Sequence, residues 1–467
     1  MTDDLPTGYR MTELGPLPQE WQVVRLGDLV ERGILVMRNG FPQGEHNETG
    51  MGVPHLRPFN IANDGTLDLS QIKFVAPPSD DDPHWLHPGD VIFNNTNSEE
   101  LVGKTALFNR DGRFVLSNHM TFLRVLEPDQ IDPYWLARLL HLFWHLGVYR
   151  ALCRRHVNQA SVSLERLKGI HIPLPPLPEQ RAIAHVLRTV QGAKEATERV
   201  IAALRELKKS LMRHLFTCGP VPVGDVGAQR RCAPTVPLQE TDIGPIPAHW
   251  RVVRLGEVAE KPQYGYTTSA TDQPVGPKFL RITDIQEGRV LWAAVPYCEI
   301  AQSDMERFLL KTGDILVARI GATTGKTFLV TECPPAVFAS YLIRVRVLSE
   351  GPILPDFLWY YTNTPRYWEQ INASKGGRLK QGINIPVLQN LLLPLPPLPE
   401  QRAIAEVLRA VDRKIEAEQA RRQALEALFK ALLHDLMTAR RRLPPEFVAR
   451  FGPPDPSSSQ HSQEDVL

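Results

Sequence analysis

The sequence predicts an α+β fold: two strand-rich domains in tandem, each followed by a long helix, with the helices pairing as an antiparallel coiled coil of pseudo-twofold symmetry. Three observations predict it. The twelve residues PLPPLPEQRAIA occur unchanged at Pro173–Ala184 and again at Pro394–Ala405. The stretch TELGPLPQEWQVVRLGDLVE at Thr12–Glu31 returns as TDIGPIPAHWRVVRLGEVAE at Thr241–Glu260, with 11 of 20 positions identical. After each dodecamer, apolar residues recur at alternating steps of four and three, the period of a supercoiled helix. The chain is therefore two copies of one unit.

Length and composition agree with this division. A chain of 467 residues exceeds one ordinary core. With 43% hydrophobic and 22% charged residues, it buries cores without metals or disulfides. The five cysteines, Cys153, Cys218, Cys232, Cys298 and Cys333, form no CxxC pair, which points to reduced thiols. The N-terminal MTDDLPTGYR is not a secretory leader and no long apolar run follows, so the expected location is cytoplasmic, away from membranes. The net charge of +1 excludes a strongly basic stand-alone nucleic-acid binder.

Taken in order, the first domain is expected over 1–176. His87-Pro88-Gly89-Asp90 makes a turn into an apolar strand, and Gly103-Lys104-Thr105 leads into another. Met120–Leu126 reads as a further strand. The first long helix is expected over 177–216. Pro175, Pro176 and Pro178 suit an extended lead-in and a first helical turn, where no N–H is needed. Its predicted seam is Val186, Val190, Ala193, Thr197, Val200, Leu204, Leu207 and Leu211. Residues 217–249 read as a linker and the start of the second repeat. The second domain follows over 250–395, with Gly313-Asp314, Gly325-Lys326-Thr327 and the strand Leu342–Leu348 matching the first. The second helix is expected over 396–442, with a seam of Ile404, Leu408, Val411, Ile415, Leu425, Phe429, Leu432 and Leu436, interrupted by Glu418 and Arg422. The tail, 443–467, ends in a Ser- and Pro-rich run that reads as disordered.

Each apparent catalytic signature has a structural explanation. Gly321-Ala322-Thr323-Thr324-Gly325-Lys326-Thr327 lacks the Walker spacing and reads as a strand connection. Asp132-Pro133-Tyr134-Trp135 resembles a methyltransferase element that holds a flipped base, but Asp132 as N-cap and Pro133 at the first helical position explain it. His141 and His145 lie among aromatics and read as a packed helix face. No HExxH or Gly-x-Ser-x-Gly pattern occurs.

What differs between the copies is their polar loops. In the first half these are Asn94, Asn95, Thr96, Asn97, Ser98 and Lys104, then Arg154, Arg155, His156, Asn158 and Gln159. In the second they are Tyr264, Tyr266, Thr267 and Thr268, then Arg319, Thr323, Thr324 and Lys326, then Lys375, Arg378, Lys380, Gln381 and Asn384. Arg and Lys suit guanine edges and phosphates, and Asn and Gln suit adenine edges, so the set fits duplex DNA reading. By themselves such loops are more often merely the solvated surface of a globular domain. Arg57 and Arg281 match across the halves, which suits a backbone contact or a frame role.

The duplicated Pro-Pro-Leu-Pro-Glu-Gln-Arg pivot, the Trp-x-Val-Val-Arg-Leu-Gly starts at Trp21 and Trp250, and the Gly-Asp and Gly-Lys-Thr segments resemble the specificity subunit of type I restriction-modification enzymes, across nearly Thr12–Arg442. The resemblance implies two target-recognition domains that each read half of a split, asymmetric DNA site, with the helices as spacer. It implies docking of methyltransferase and restriction subunits, with the pivot residues Pro178, Glu179, Gln180, Arg181, Pro399, Glu400, Gln401 and Arg402 as partner contacts. S-adenosylmethionine, ATP and Mg are then expected on those partners, and neither a cofactor nor catalysis in this chain. A pure coiled-coil scaffold and a self-contained DNA modification enzyme are the alternative functions.

Overall fold

A computed structural model describes residues 5–42, 45–157, 159–220, 237–286, 288–374 and 382–453. The chain forms two compact units, residues 1–197 with 421–467, and residues 198–420. Each long helix begins in one unit and ends in the other. The tail expected to be disordered from 443 instead starts with a short helix, Pro445–Ala449, whose Phe447 ring lies 6.2 Å from that of His185. Residues 221–236 of the linker and 454–467 of the tail lie outside the described residues.

In the first unit the strand Gln22–Arg25 pairs antiparallel with His171–Leu174, so the start of the domain closes on the segment that feeds the helix. Four antiparallel strands form the main sheet, in the order Leu35–Asn39, Met120–Val125, Val91–Asn94, Thr105–Leu107. The helix Pro133–His145 contributes Trp135, Leu136, Leu139 and Leu140 to the core beneath it. Asp132 caps this helix by accepting the Trp135 N–H at 2.8 Å, with Pro133 in the first turn.

The second unit repeats the scheme. Arg251–Arg254 pairs with Leu392–Leu395. The main sheet runs Gln263–Tyr264, Leu342–Val345, Ile315–Ala318, Thr327–Leu329. The Gly-Asp turns do the same work in both. Asp90 accepts the His87 N–H and receives Arg124 at 2.8 and 2.7 Å, and Asp314 accepts the Lys311 N–H and receives Arg346 at 2.6 and 2.8 Å. Gly321–Gly325 is a turn between strands, closed by Thr324 N–H to the Gly321 carbonyl, as its spacing implied.

The long helices span Leu177–Cys218 and Leu398–Met437, about 63 and 60 Å at 1.5 Å per residue. In the first unit Ile183, Ala184 and Leu187 from the opening turns of one share a core with Phe429, Leu433, Leu436 and Met437 from the closing turns of the other. In the second unit Met212, Leu215 and Phe216 share a core with Ile404, Ala405 and Leu408. Start packs on end in both, so the pairing is antiparallel.

The seam of the first helix differs from its apolar pattern. The buried stripe runs through Ile183, Leu187, Lys194, Thr197 and Ile201, whereas Val200 and Leu207 are 42% and 48% exposed. Two lysines occupy the seam, Lys194 against Asp64 at 2.5 Å and Lys208 against Asp412 at 2.6 Å. A lysine stem covers apolar surface while its ammonium meets a carboxylate, and apolar periodicity cannot register such a residue. No helix among the described residues is long and apolar enough to cross a membrane.

Candidate nucleic-acid interface

In the first unit, backbone pairing gathers loops that lie sixty residues apart in sequence. Thr96–Asn97 pairs with Ala160–Ser161, which pairs with Arg154–Arg155. The turn between the last two strands closes through the His156 N–H and the Gln159 carbonyl at 2.7 Å. Arg154, Arg155, His156 and Gln159 are exposed on it. Glu99 accepts Arg155 Nη2 at 2.8 Å and Arg150 Nε at 3.0 Å, which orients the Arg155 guanidinium and leaves most of it in solvent. Asn97 and Ser98 are half-buried at the same edge.

Three residues expected there are part of the frame instead. Asn94 is buried and donates to the Leu101 carbonyl at 2.9 Å, closing the loop it starts. Asn95 is buried and donates to Thr121 Oγ1 at 3.0 Å, with its own Oδ1 held by Thr96. Lys104 is buried, with Nζ on the Ile61 carbonyl at 3.1 Å and above the Trp144 ring; burial lowers its pKa. A polar side chain in a loop satisfies a buried backbone group as readily as it faces a ligand, and composition does not distinguish the two. Asn158 lies outside the described residues.

In the second unit the centre is Arg319, whose guanidinium lies 4.6 Å above the Tyr264 ring. Its N–H donates to the Tyr341 carbonyl, and its own carbonyl accepts from Ile383, each at 2.9 Å. Thr267 and Lys326 are exposed nearby in sequence, and Thr268 and Thr323 are half-buried. Tyr266 packs its ring 5.1 Å from Phe308 and serves the core. Thr324 is buried with its hydroxyl on the Gly321 carbonyl at 2.6 Å, so it holds the turn. Asn384 caps the short helix after it by accepting the Val387 N–H at 3.0 Å. Lys375, Arg378, Lys380 and Gln381 lie outside the described residues.

Sequence reading missed the tips just before the strands at Met120 and Leu342. Asn118 and His119 are exposed, and the His119 carbonyl receives the N–H groups of Asn95 and Thr96 at 3.2 Å. Tyr341, in the matching place, is 54% exposed. Their common place before equivalent strands was the available signal.

The pivots also differ from expectation. Glu179 is buried and accepts Trp21 Nε1 at 2.9 Å and Arg442 Nε and Nη2 at 3.1 and 2.9 Å. Gln180 accepts the Asp132 N–H and donates to the carbonyls of Gln130 and Pro175, and Gln401 does the same with Leu354, Pro352 and Pro396. These three side chains are used within their own units, which removes them as partner contacts. Glu400 is half-buried on Trp250 and His249, at 2.9 and 2.7 Å. Pro178 and Arg181 are half-buried, and Pro399 and Arg402 are exposed.

A cavity of about 340 Å³ in the first unit lies among Asn63, Asp64, His141, His145, Lys194 and Phe429. Its lysines are already paired, Lys194 with Asp64 and Lys430 with Glu426. Among the described residues no cluster of three or more His, Cys, Asp or Glu is arranged to hold a metal ion.

The model of the type I restriction modification DNA specificity domain matches residues 18–206 and again 247–427. The chain is 27% identical over 448 residues to a putative type I restriction enzyme MjaX specificity subunit of Methanocaldococcus jannaschii, spanning 93% of this chain and 97% of that one. It is 22% identical over 410 residues to the EcoKI specificity subunit of Escherichia coli, spanning 85% and 82%. Its fold is similar to the crystal structure of a type I restriction-modification S subunit from M. genitalium, with a TM-score of 0.54, 13% identity and coverage of 89% and 96%. A chain from a structure of a type I R-M system is similar too, with a TM-score of 0.53, 20% identity and coverage of 90% and 98%.

Proposed function

The chain belongs to the type I restriction-modification DNA specificity family, and from that premise we propose that it reads a bipartite, asymmetric double-stranded DNA site, one half-site per unit, without catalysis of its own. In this reading the Thr96–Ser98 and Arg154–Gln159 loops with His119 meet one half-site. Arg319 on Tyr264, with Thr267, Thr268, Thr323, Lys326 and Tyr341, meets the other. Methyltransferase and restriction subunits dock on the same chain, and S-adenosylmethionine, ATP and Mg act on those partners.

The observation that supports this most is that one frame, with the same Gly-Asp turn, Arg clamp and closing strand pair in each unit, carries unlike loops at the same edge. Identical frames with different edges suit two readings of different bases by one mechanism. Half-sites on one face of DNA recur every 34 to 36 Å or so, which helices about 60 Å long are able to bridge. With a net charge of +1, the chain in this reading shares the task of holding phosphates with its partners.

The test is co-expression with a type I methyltransferase subunit encoded beside it, followed by mapping of methylated adenines across the genome. A single split motif that requires both genes is expected. A stable complex that methylates no motif would leave a scaffold, and S-adenosylmethionine turnover by the isolated chain would mean a self-contained enzyme.

A further inference from the structure

A pair of matching arginines, Arg57 and Arg281, is held differently in the two units. Arg57 and Arg281 each precede a single 3₁₀ turn, Pro58–Asn60 and Ile282–Asp284, and each gives its N–H to the third residue of that turn. In the second unit that residue is Asp284, which also takes the Arg281 guanidinium at both oxygens, Nε at 3.0 Å and Nη2 at 2.8 Å. In the first unit it is the neutral Asn60, whose amide donates to the Asp68 carbonyl. Among the described residues Arg57 has no ion pair, and its Nε is buried without an acceptor. Its guanidinium instead lies 4.2 Å from the centre of the Phe59 ring, which is 45% exposed. Glu48 influences it at longer range and is itself paired with Lys73.

Arg57 also stands beside the loops assigned to DNA. The Leu56 carbonyl, next in the chain, accepts from Ser117, which leads directly into Asn118 and His119; the His119 carbonyl in turn holds Asn95 and Thr96. A cation held over an exposed ring, at the edge of a reading face and without a carboxylate, is ready for an anion.

We propose that Arg57, positioned by Phe59, contacts a backbone phosphate of the DNA bound by the first unit, and that the second unit lacks this contact because Asp284 occupies Arg281. The proposal rests on the DNA-reading role given to the first unit. It makes the two readers unequal in how they hold DNA, whatever bases they select.

The test uses the full chain in complex with its methyltransferase partner, binding a duplex that carries the mapped motif, with affinity measured from about 50 to 200 mM salt. Arg57→Gln is expected to make the slope of log affinity against log salt shallower by about 0.9, the amount for one phosphate contact. The methylated motif should stay unchanged. Arg57→Lys should restore the slope, and Arg281→Gln should leave it as in the wild type. Asp284→Asn keeps an acceptor for the turn and frees Arg281, so it should steepen the slope by a similar amount. An unaltered slope for Arg57→Gln, in a complex that still selects its motif, would overturn the contact. Relaxed selection at one base would also overturn it, since Arg57 would then read a base edge. Loss of motif selection in the wild-type complex would instead sink the DNA-reading role itself, and the proposal with it.

Discussion

The indole N–H of Trp21 donates to Glu179 Oε2 at 2.9 Å, tying the first strand pair of the domain to the first turn of the long helix. The pair recurs as Trp250 and Glu400, also at 2.9 Å, and the third group differs: Arg442 on Glu179, His249 on Glu400. Glu179 is buried and Glu400 half-exposed. Glu179→Ala should therefore destabilise the first unit by about 2–3 kcal/mol, because it leaves the buried indole donor unsatisfied, and Glu400→Ala should cost the second unit less. Urea denaturation of the two variants, followed by the fluorescence of the affected tryptophan, compares them; equal costs would contradict the asymmetry.

The register of the first helix gives a second prediction. Ile201→Ala should cost about 2–4 kcal/mol as a core truncation, whereas Val200→Ala and Leu207→Ala should change stability by less than about 0.5 kcal/mol. Thermal unfolding ranks them, and the opposite ranking would restore the seam read from apolar spacing alone.

Gly103 holds φ at +95°, and a Cβ there would lie 2.1 Å from the Tyr149 ring, itself buried and hydrogen-bonded to the Leu140 carbonyl. Gly103→Ala combines left-handed strain with a clash that no side-chain rotation relieves, so a loss above about 3 kcal/mol is expected. Soluble yield and melting temperature report it; a variant as stable as the parent would show that the loop can shift.

Two buried histidines give the fold a pH dependence. Burial lowers His55 to about 4, with help from His46 and Arg57. Burial, Arg138 and His145 lower His141 to about 3. Both stay neutral when folded, while unfolded imidazole protonates near 6.5, so the unfolded chain binds more protons between these values. The stability they contribute is complete above about pH 6.5 and is lost as pH falls toward 4 and then 3, by up to about 1.4 kcal/mol per pH unit for each. The denaturation midpoint should fall from pH 7 to pH 5, and a flat profile would mean that neither ring is held neutral.

On the DNA side, Arg155→Ala should weaken or relax only the half-site read by the first unit, and Arg319→Ala only the other, each by about 1–3 kcal/mol where a base edge is lost. Methylome mapping of each variant separates the outcomes. A change in both half-sites from either substitution would reject the division of labour.

The duplication, the α+β class, the two long helices and the family were legible in the sequence, because repeated residues and helical periodicity are local properties of the chain. The Gly-Asp turns and the Asp132 cap were legible for the same reason, since each acts within a few residues of itself. Which polar residues face outward was settled by contacts between segments far apart in the chain. Asn94, Asn95 and Lys104 turned inward because buried carbonyls and hydroxyls from distant segments needed partners. Glu179, Gln180 and Gln401 were absorbed in the same way by Trp21, Asp132 and Leu354. Lys194 and Lys208 entered the seam because Asp64 and Asp412 were placed to receive them. Whether a polar side chain is structural or available depends on what the fold brings within 3 Å of it, and that neighbour is rarely close in sequence.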